Sequence, residues 1–389
     1  MRLRVKLISL TLALLFIGSI GAVAVSAQSI TSTTNGSSAG VVSAQAAIQI
    51  NTMQFRYNAQ HTGDYSPVAG PVQSNGQLLW NYTTGGEVQS SPAVVNGMVY
   101  VGSDDGKVYA LNATTGAKVW DFTAGDHVSS SPAVVNGVVY VGSFDNNLYA
   151  LNATTGAKLW SYTTGGYVFS APTVANGVVY VGSDDHNVYA LNASTGAKLW
   201  NFTTGGWLEA PAVANGAVYV GSEDKNVYAL NATTGVKQWN YTTGGYVDSS
   251  PAVANGVVYV GSRDNNTYAI NATTGAKLWN YTSRGWVESS PAVANGVIYV
   301  GSDDQLATAG NVYAINAATG AKLWNFTTGG EVHSSPAVVN GLLYVGSEDG
   351  KVYAIGNAAT ATSQGTPGFE VTLALVGLVI VAYVMRRRS

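Results

Sequence analysis

Seven tryptophans, Trp80, Trp120, Trp160, Trp200, Trp239, Trp279 and Trp324, follow one another at spacings of 40, 40, 40, 39, 40 and 45 residues. The stretch SSPAVVNGMVYVGSDDGKVYALNATTGAKVW, ending at Trp120, recurs around them with few changes. A period of this length admits stacked helical hairpins or the four-stranded blades of a propeller. Local chemistry decides for blades. Each unit holds four short runs rich in Val, Tyr, Leu and Trp, separated by turn signals, and none carries a helical period. The first two runs are joined by Asn-Gly, the strongest two-residue hairpin signal, from Asn96-Gly97 through to Asn340-Gly341. The third run, VYALN in the first unit, is entered through an acidic turn such as Ser103-Asp104-Asp105. The fourth is entered through Ala-Thr-Thr-Gly, whose glycine can take a positive φ.

Counting strands gives an all-β, seven-bladed β-propeller of four-stranded antiparallel blades. Trp80 lies on a fourth strand with no first three before it, and the chain after Ile355 lacks a fourth. The strand around Leu78–Tyr82 is therefore expected to complete the last blade and close the ring. The alternative is an eighth blade built from Met53 to Pro71. One fully buried Trp removes about 150–250 Å² from water, roughly 4–6 kcal/mol at most. The repeated tryptophans are thus core residues.

Composition narrows the partners. Only 10% of the 389 residues are charged, the net charge is −3, and the body has no basic run, which argues against nucleic acid. The absence of cysteine excludes disulfides and thiolate chemistry. Residues 1–27 read as a signal peptide: Arg2, Arg4 and Lys6 precede an apolar run that ends at the small residues Val25-Ser26-Ala27. A Ser/Thr-rich linker over 28–52 follows, then the propeller over 53–357, a short linker over 358–367, and an anchor or sorting segment over 368–389. Phe369 to Met385 would span about 25 Å as a helix, and Arg386, Arg387 and Arg388 would stay in the cytoplasm. The expected location is the outer face of the cell membrane or envelope, with the membrane itself a partner through the C-terminal anchor.

The VYALNATTGAKVW run resembles the repeat of pyrroloquinoline-quinone-type (PQQ-like) propellers, whose pattern is Tyr-Ala-Leu-Asp-x-x-Thr-Gly-Lys-x-x-Trp. The resemblance covers roughly Met53 to Ile355, and MQFRYNAQHTG, 53–63, is similar to the lead-in before the first blade of that family. Pro367-Gly368-Phe369, with the apolar stretch and basic tail after it, resembles the PGF-type sorting signal of archaeal surface proteins. That resemblance implies an archaeal cell-surface protein whose tail is exchanged for a lipid. The quinoprotein dehydrogenases of this fold class bind a quinone and calcium, and many stack the quinone on a vicinal disulfide. Here there is no cysteine, and the blades are too alike to display one catalytic constellation, so no quinone cofactor is expected. His61, His127, His186 and His333 are the only histidines, and no two sit at metal-ligand spacing.

Differences among the repeats point to a site. Just before SSP, one position reads Glu87, His127, Tyr167, Trp207, Tyr246, Trp286 and Glu331 around the ring. Two residues on, it reads Gln89, Ser129, Phe169, Glu209, Asp248, Glu288 and His333, with Val or Leu208 fixed between. Spacing by two puts both variable positions on one side of an extended segment, at the channel mouth if the first strand is innermost. Tyr167, Phe169, Trp207, Glu209, Tyr246, Asp248, Trp286 and Glu288 then form a candidate binding surface for a sugar or a cationic ligand. The competing reading is that they pack blade against blade. The acidic turns, with Asp104, Asp105, Asp184, Asp185, Asp303 and Asp304, offer carboxylates for calcium or serve only as turn formers.

Twelve Asn-x-Ser/Thr sequons occur, starting with Asn35. Asn112, Asn152, Asn192, Asn231 and Asn271 fall in the opposite-face turn, Asn81, Asn201, Asn240, Asn280 and Asn325 on the outer strand, and Asn265 in an acidic turn. They are candidate glycan acceptors, or ordinary turn residues. The leading expectation for function is a non-catalytic binding or scaffold module contacting a surface glycan or envelope protein. The alternatives are an enzyme using the channel mouth and a purely structural envelope component.

Overall fold

A computed structural model describes residues 52–53, 58–61, 78–304, 309–339 and 341–356. The expected signal peptide, the linkers apart from Thr52, and the C-terminal anchor lie outside the described residues, as do the side chain of Asp304 and the sorting motif Pro367-Gly368-Phe369.

Six antiparallel four-stranded blades occupy 93–123, 133–163, 173–203, 212–242, 252–282 and 292–327, each with its strands in chain order. A seventh, over 337–355, shows three strands. The hairpins form where Asn-Gly predicts them: Asn96 and Gly97 have φ of 50° and 75°, the two positive angles of the turn that suits twisted strands.

Adjacent blades are locked by one repeated device. Trp120 lies flat against Gly156 of the next blade's Thr-Thr-Gly turn, where φ is 72° and an added Cβ would sit 2.7 Å from the indole. The carbonyl of Ala153 accepts the indole N–H of Trp120 at 3.0 Å and the hydroxyl of Tyr100, also at 3.0 Å. The same double acceptance recurs at Ala193, Ala232, Ala272 and Ala317. The repeat thus spends its Trp, its Tyr and its turn glycine on a single interface, which is why all three recur together.

Closure is half of what the strand count predicts. Trp80 donates its indole N–H to the carbonyl of Ala113 at 3.0 Å and lies against Gly116, and Tyr82 meets Tyr109 at 5.4 Å. The segment therefore stands towards the first blade as the fourth strands of blades one to five do towards their successors. The expected ladder between Leu78–Tyr82 and the last strand, Lys351–Ile355, is absent among the described residues, and Leu78 and Leu79 are exposed. Side-chain contacts hold the segment to blade one; the sheet pairing would need a backbone register that these contacts do not impose.

The described part of the expected lead-in forms no eighth blade. It enters the ring instead. Thr52 and Met53 pair with Val135 and Val134 on the free edge of the second blade's innermost strand. The carbonyls of Ala59 and Gln60 accept the N–H groups of Val213 and Val253 at 2.6 and 2.8 Å. His61, fully buried, lies with Nε2 2.8 Å from the hydroxyl of Thr173. Inner strands have one edge without a sheet partner, and this segment supplies hydrogen bonds to those edges in several blades. Replacing His61 by Ala should lower stability by about 2 kcal/mol through lost packing and a lost buried polar contact, read as a shift of the denaturant midpoint. An unchanged midpoint would mean that the segment rests in the channel without supporting it.

Candidate functional site

One backbone bond per blade sets the mouth. The N–H groups of Asp104, Phe144, Asp184, Glu223, Arg263, Asp303 and Glu348 donate to the carbonyls of Glu87, His127, Tyr167, Trp207, Tyr246, Trp286 and Glu331, at 2.8 to 3.0 Å. Each variable loop is thereby fixed to the turn between its blade's second and third strands. The invariant Val between the variable positions is fully buried at Val128, Val168, Val247, Val287 and Val332, and Leu208 is nearly so. It packs on the preceding blade's Gly, where a Cβ on Gly142 would lie 2.2 Å from the carbonyl oxygen of Val168. Burying the middle residue turns its two neighbours outward on a rigid floor.

The acidic turns divide into two positions with different roles. The second is Asp in every blade, and in the six where its side chain is described it belongs to the fold. Oδ2 of Asp145 accepts the Tyr149 hydroxyl at 2.5 Å and the Gly125 N–H at 2.6 Å, while Oδ1 accepts the Asn147 N–H at 3.0 Å. Burial pushes this carboxyl's pKa up, but the hydrogen bonds from Tyr149, Gly125 and Asn147 outweigh it and hold the pKa below the usual value. Asp105 and Asp185 are bound in the same way, so these two expected calcium ligands have their oxygens committed to turn and strand. The first position varies as Asp104, Phe144, Asp184, Glu223, Arg263, Asp303 and Glu348, and it faces the mouth. Phe144 and Arg263 do not stand out in the sequence, because each precedes an Asp, Asp145 or Asp264, that looks like the acidic residue of its repeat. A strict repeat alignment exposes them.

The aromatic candidates are not core. Tyr167, Phe169, Trp207, Tyr246 and Trp286 are 49, 45, 54, 44 and 38% exposed, so each ring offers part of its surface to solvent while part packs on its neighbours. They form two groups. Phe144 stacks on Tyr167 at 5.0 Å and 5°, with His127 on its other side at 5.9 Å and Phe169 edge-on at 6.1 Å. Arg263 lies between Tyr246 and Trp286, 5.7 and 5.1 Å from their ring centres. Its Nε also meets Asp248, and Glu288 at 2.9 Å.

Carboxylates crowd the space between these groups. Burial, followed by the charge of Asp248, pushes Glu209 up to about 8. Asp184, Glu223, Asp248 and Glu288 are all raised, with burial the first cause in each, and Arg263 opposes the rise at Glu223, Asp248 and Glu288. At the far side His333 is held up to about 9, first by its contact with Asp303. The mouth therefore favours positive charge. Glu209 also carries a stability signature. From the ordinary glutamate value of 4.5 up to about 8, the folded chain keeps a proton that the unfolded chain releases. That contribution is complete below the lower value and is lost as pH rises through the upper one. Glu209→Gln should flatten this decline in a pH series of melting temperatures; an unchanged slope would place the titration elsewhere.

Two groups of sequons differ in their bonding. Oδ1 of Asn112, Asn152, Asn192, Asn231 and Asn271 accepts N–H groups within its own turn, the chemistry of an Asx turn. Asn81, Asn201, Asn240, Asn280 and Asn325 are exposed on the outer rim, and Asn265 sits in its turn at a φ of 70°.

Comparison with known proteins places this geometry. The model of the PQQ-repeat family described as outer membrane protein assembly factor BamB matches residues 68–170, 104–206, 164–247, 242–310 and 306–364. The chain belongs to this family. A PGF-CTERM motif is matched over residues 366–388, and the BamB-type propeller is a cell-surface protein anchored at its C terminus. Among solved structures, BamB from Moraxella catarrhalis is similar with a TM-score of 0.62 at 24% identity, over 73% of this chain and 87% of that one. The quinohemoprotein alcohol dehydrogenase ADHIIG from Pseudomonas putida HK5 is similar with a TM-score of 0.66 at 18% identity, over 79% and 70% of the two chains. A europium-containing methanol dehydrogenase is similar with a TM-score of 0.66 at 16% identity, over 79% and 85%. At these identities the likeness is one of fold. No curated protein is significantly similar in sequence.

Proposed function

We propose that this BamB-type propeller is a non-catalytic binding module displayed at the cell surface, and that its mouth face holds a cationic segment of another envelope protein. The observation that carries the reading is the set of five exposed aromatic rings, interleaved with carboxylates, at the positions where otherwise near-identical blades differ. Aromatic faces attract cations, and the crowded carboxylates gain most from a positive ligand that relieves their repulsion. The backbone bonds beneath each loop pre-organise the surface, so little ordering is lost on binding. Family membership agrees with this reading, since the matched family is described as an assembly factor.

The donor set argues against pyrroloquinoline quinone, a tricarboxylate. The mouth is lined by Glu209, Glu223, Asp248 and Glu288, and its arginine, Arg263, is engaged by two of them. The lead-in between Asn58 and His61 also takes up hydrogen-bonding edges inside the ring, which directs a ligand to the face rather than into the channel. The test is binding of a panel of Lys/Arg-rich peptides beside a panel of neutral glycans. Peptide binding that weakens from 0.05 to 0.5 M salt is expected (roughly the range over which surface charges become screened). Binding of neutral glycans alone would make the face a lectin and overturn the proposal.

A further inference from the structure

A second cluster, sharing only Glu288 with the binding face, lies on the seam between the sixth and seventh blades. Glu288 lies in the loop entering blade six, Asp303 near the end of that blade's second strand, Val297–Asp304, and His333 in the loop entering blade seven. One ligand atom from each falls within 4.8 Å of the others, and Glu331, His333 and Glu348 form a second such group. Nε2 of His333 stands 3.1 Å from Oδ1 of Asp303 and 3.4 Å from Oε2 of Glu331, while Nδ1 stands 3.4 Å from Oε1 of Glu348. Ligand atoms held about 2.1 Å from one ion in a tetrahedron lie ~3.4 Å apart, a separation close to that between His333 Nε2 and Asp303 Oδ1.

Asp303 supplies an independent reason. It is 3% exposed, and its Oδ1 receives no hydrogen bond, because the approach of His333 lacks the alignment of one. A buried carboxylate oxygen without a donor is costly unless a cation completes it.

We infer that Glu288, Asp303 and His333 form a three-donor site for a divalent transition-metal ion that staples blade six to blade seven. A nitrogen donor among a few carboxylates suits zinc or its neighbours; calcium seeks about six to eight oxygens. The location gives the ion a use. Blade seven is the three-stranded one among the described residues, and Trp324, at this same seam, is 37% exposed where Trp120, Trp200 and Trp239 are buried. The site shares Glu288 with the proposed binding face, but its ligands span blades six and seven and the ion would act on stability, so metal-dependent melting reads it separately from peptide binding.

The experiment uses the full-length protein, stripped with a chelator and then titrated with zinc. Melting temperature should rise by several degrees at saturating zinc, and cobalt added instead should give a visible absorption band that reports a nitrogen-containing, low-coordinate shell. His333→Gln should weaken zinc by more than the ~10–100-fold seen when only outer partners of a metal ligand are lost. It should also abolish the cobalt band and leave the metal-free melting temperature in place. Glu87→Gln, at the corresponding loop of blade one, should change nothing. Zinc without effect up to millimolar concentration, an equal response in His333→Gln, or an equal response to calcium would each overturn the inference.

Discussion

Trp200→Ala should destabilise the propeller by about 3–5 kcal/mol, among the largest losses any single exchange in this chain can cause. Trp200 is 8% exposed, rests on Gly235 and donates its indole N–H to Ala232 at 3.0 Å. Tyr180, 5.8 Å away between ring centres, donates to the same carbonyl at 3.1 Å. Truncation therefore removes a large buried surface and a hydrogen bond, and leaves a cavity between two blades that neither can collapse into. Gly235→Ala attacks the interface from the other side, since φ is 71° and the new Cβ would lie 2.7 Å from the indole. Trp324→Ala should cost clearly less, because its ring is 37% exposed. Denaturant midpoints at constant slope check the series. Equal losses at Trp200 and Trp324 would contradict the interface description.

The second large effect is on binding. Replacing Trp207 and Trp286 together by Ala should weaken a basic peptide ligand by roughly 30- to 1,000-fold, if each ring contributes ~1–2 kcal/mol of cation–π attraction. Stability should scarcely change, because the two rings are 54 and 38% exposed. Trp286 also covers Arg263 at 5.1 Å, so its loss leaves that side chain held by Tyr246, Asp248 and Glu288 alone and alters the charge at the mouth. Trp207→Ala alone separates the direct effect from this rearrangement. A double variant that melts much earlier would return both rings to the core; one that binds normally would move the ligand elsewhere.

The blades were legible in the sequence because their information is local and repeated seven times. Asn-Gly fixes a hairpin within two residues, and Trp, Tyr and Thr-Thr-Gly recur at spacings that only an interface between neighbouring units explains. The outward turn of Trp207 and Tyr246 was equally readable, since alternation about a fixed Val needs no tertiary knowledge. What escaped was non-local. His61 meets Thr173 across more than a hundred residues, and no periodicity marks a segment that enters the ring once. His333 sits beside Asp303 and Glu288 only because blades six and seven adjoin, so a search for histidines at ligand spacing along the chain passes over it. Phe144 and Arg263 were hidden differently: each stands beside an invariant Asp that looks like the acidic partner of its repeat but is a turn-forming residue.

Amide hydrogen exchange with and without a bound basic peptide maps the working face directly. Protection should appear in the loops around His127, Tyr167, Trp207, Tyr246 and Trp286 and in the turns around Phe144 and Arg263. The Asn-Gly and Thr-Thr-Gly turns at the opposite end of the blades should exchange as they do without the peptide. Protection confined to those turns, or to the outer strands bearing Asn201 and Asn240, would show that the variable mouth is not where this propeller binds.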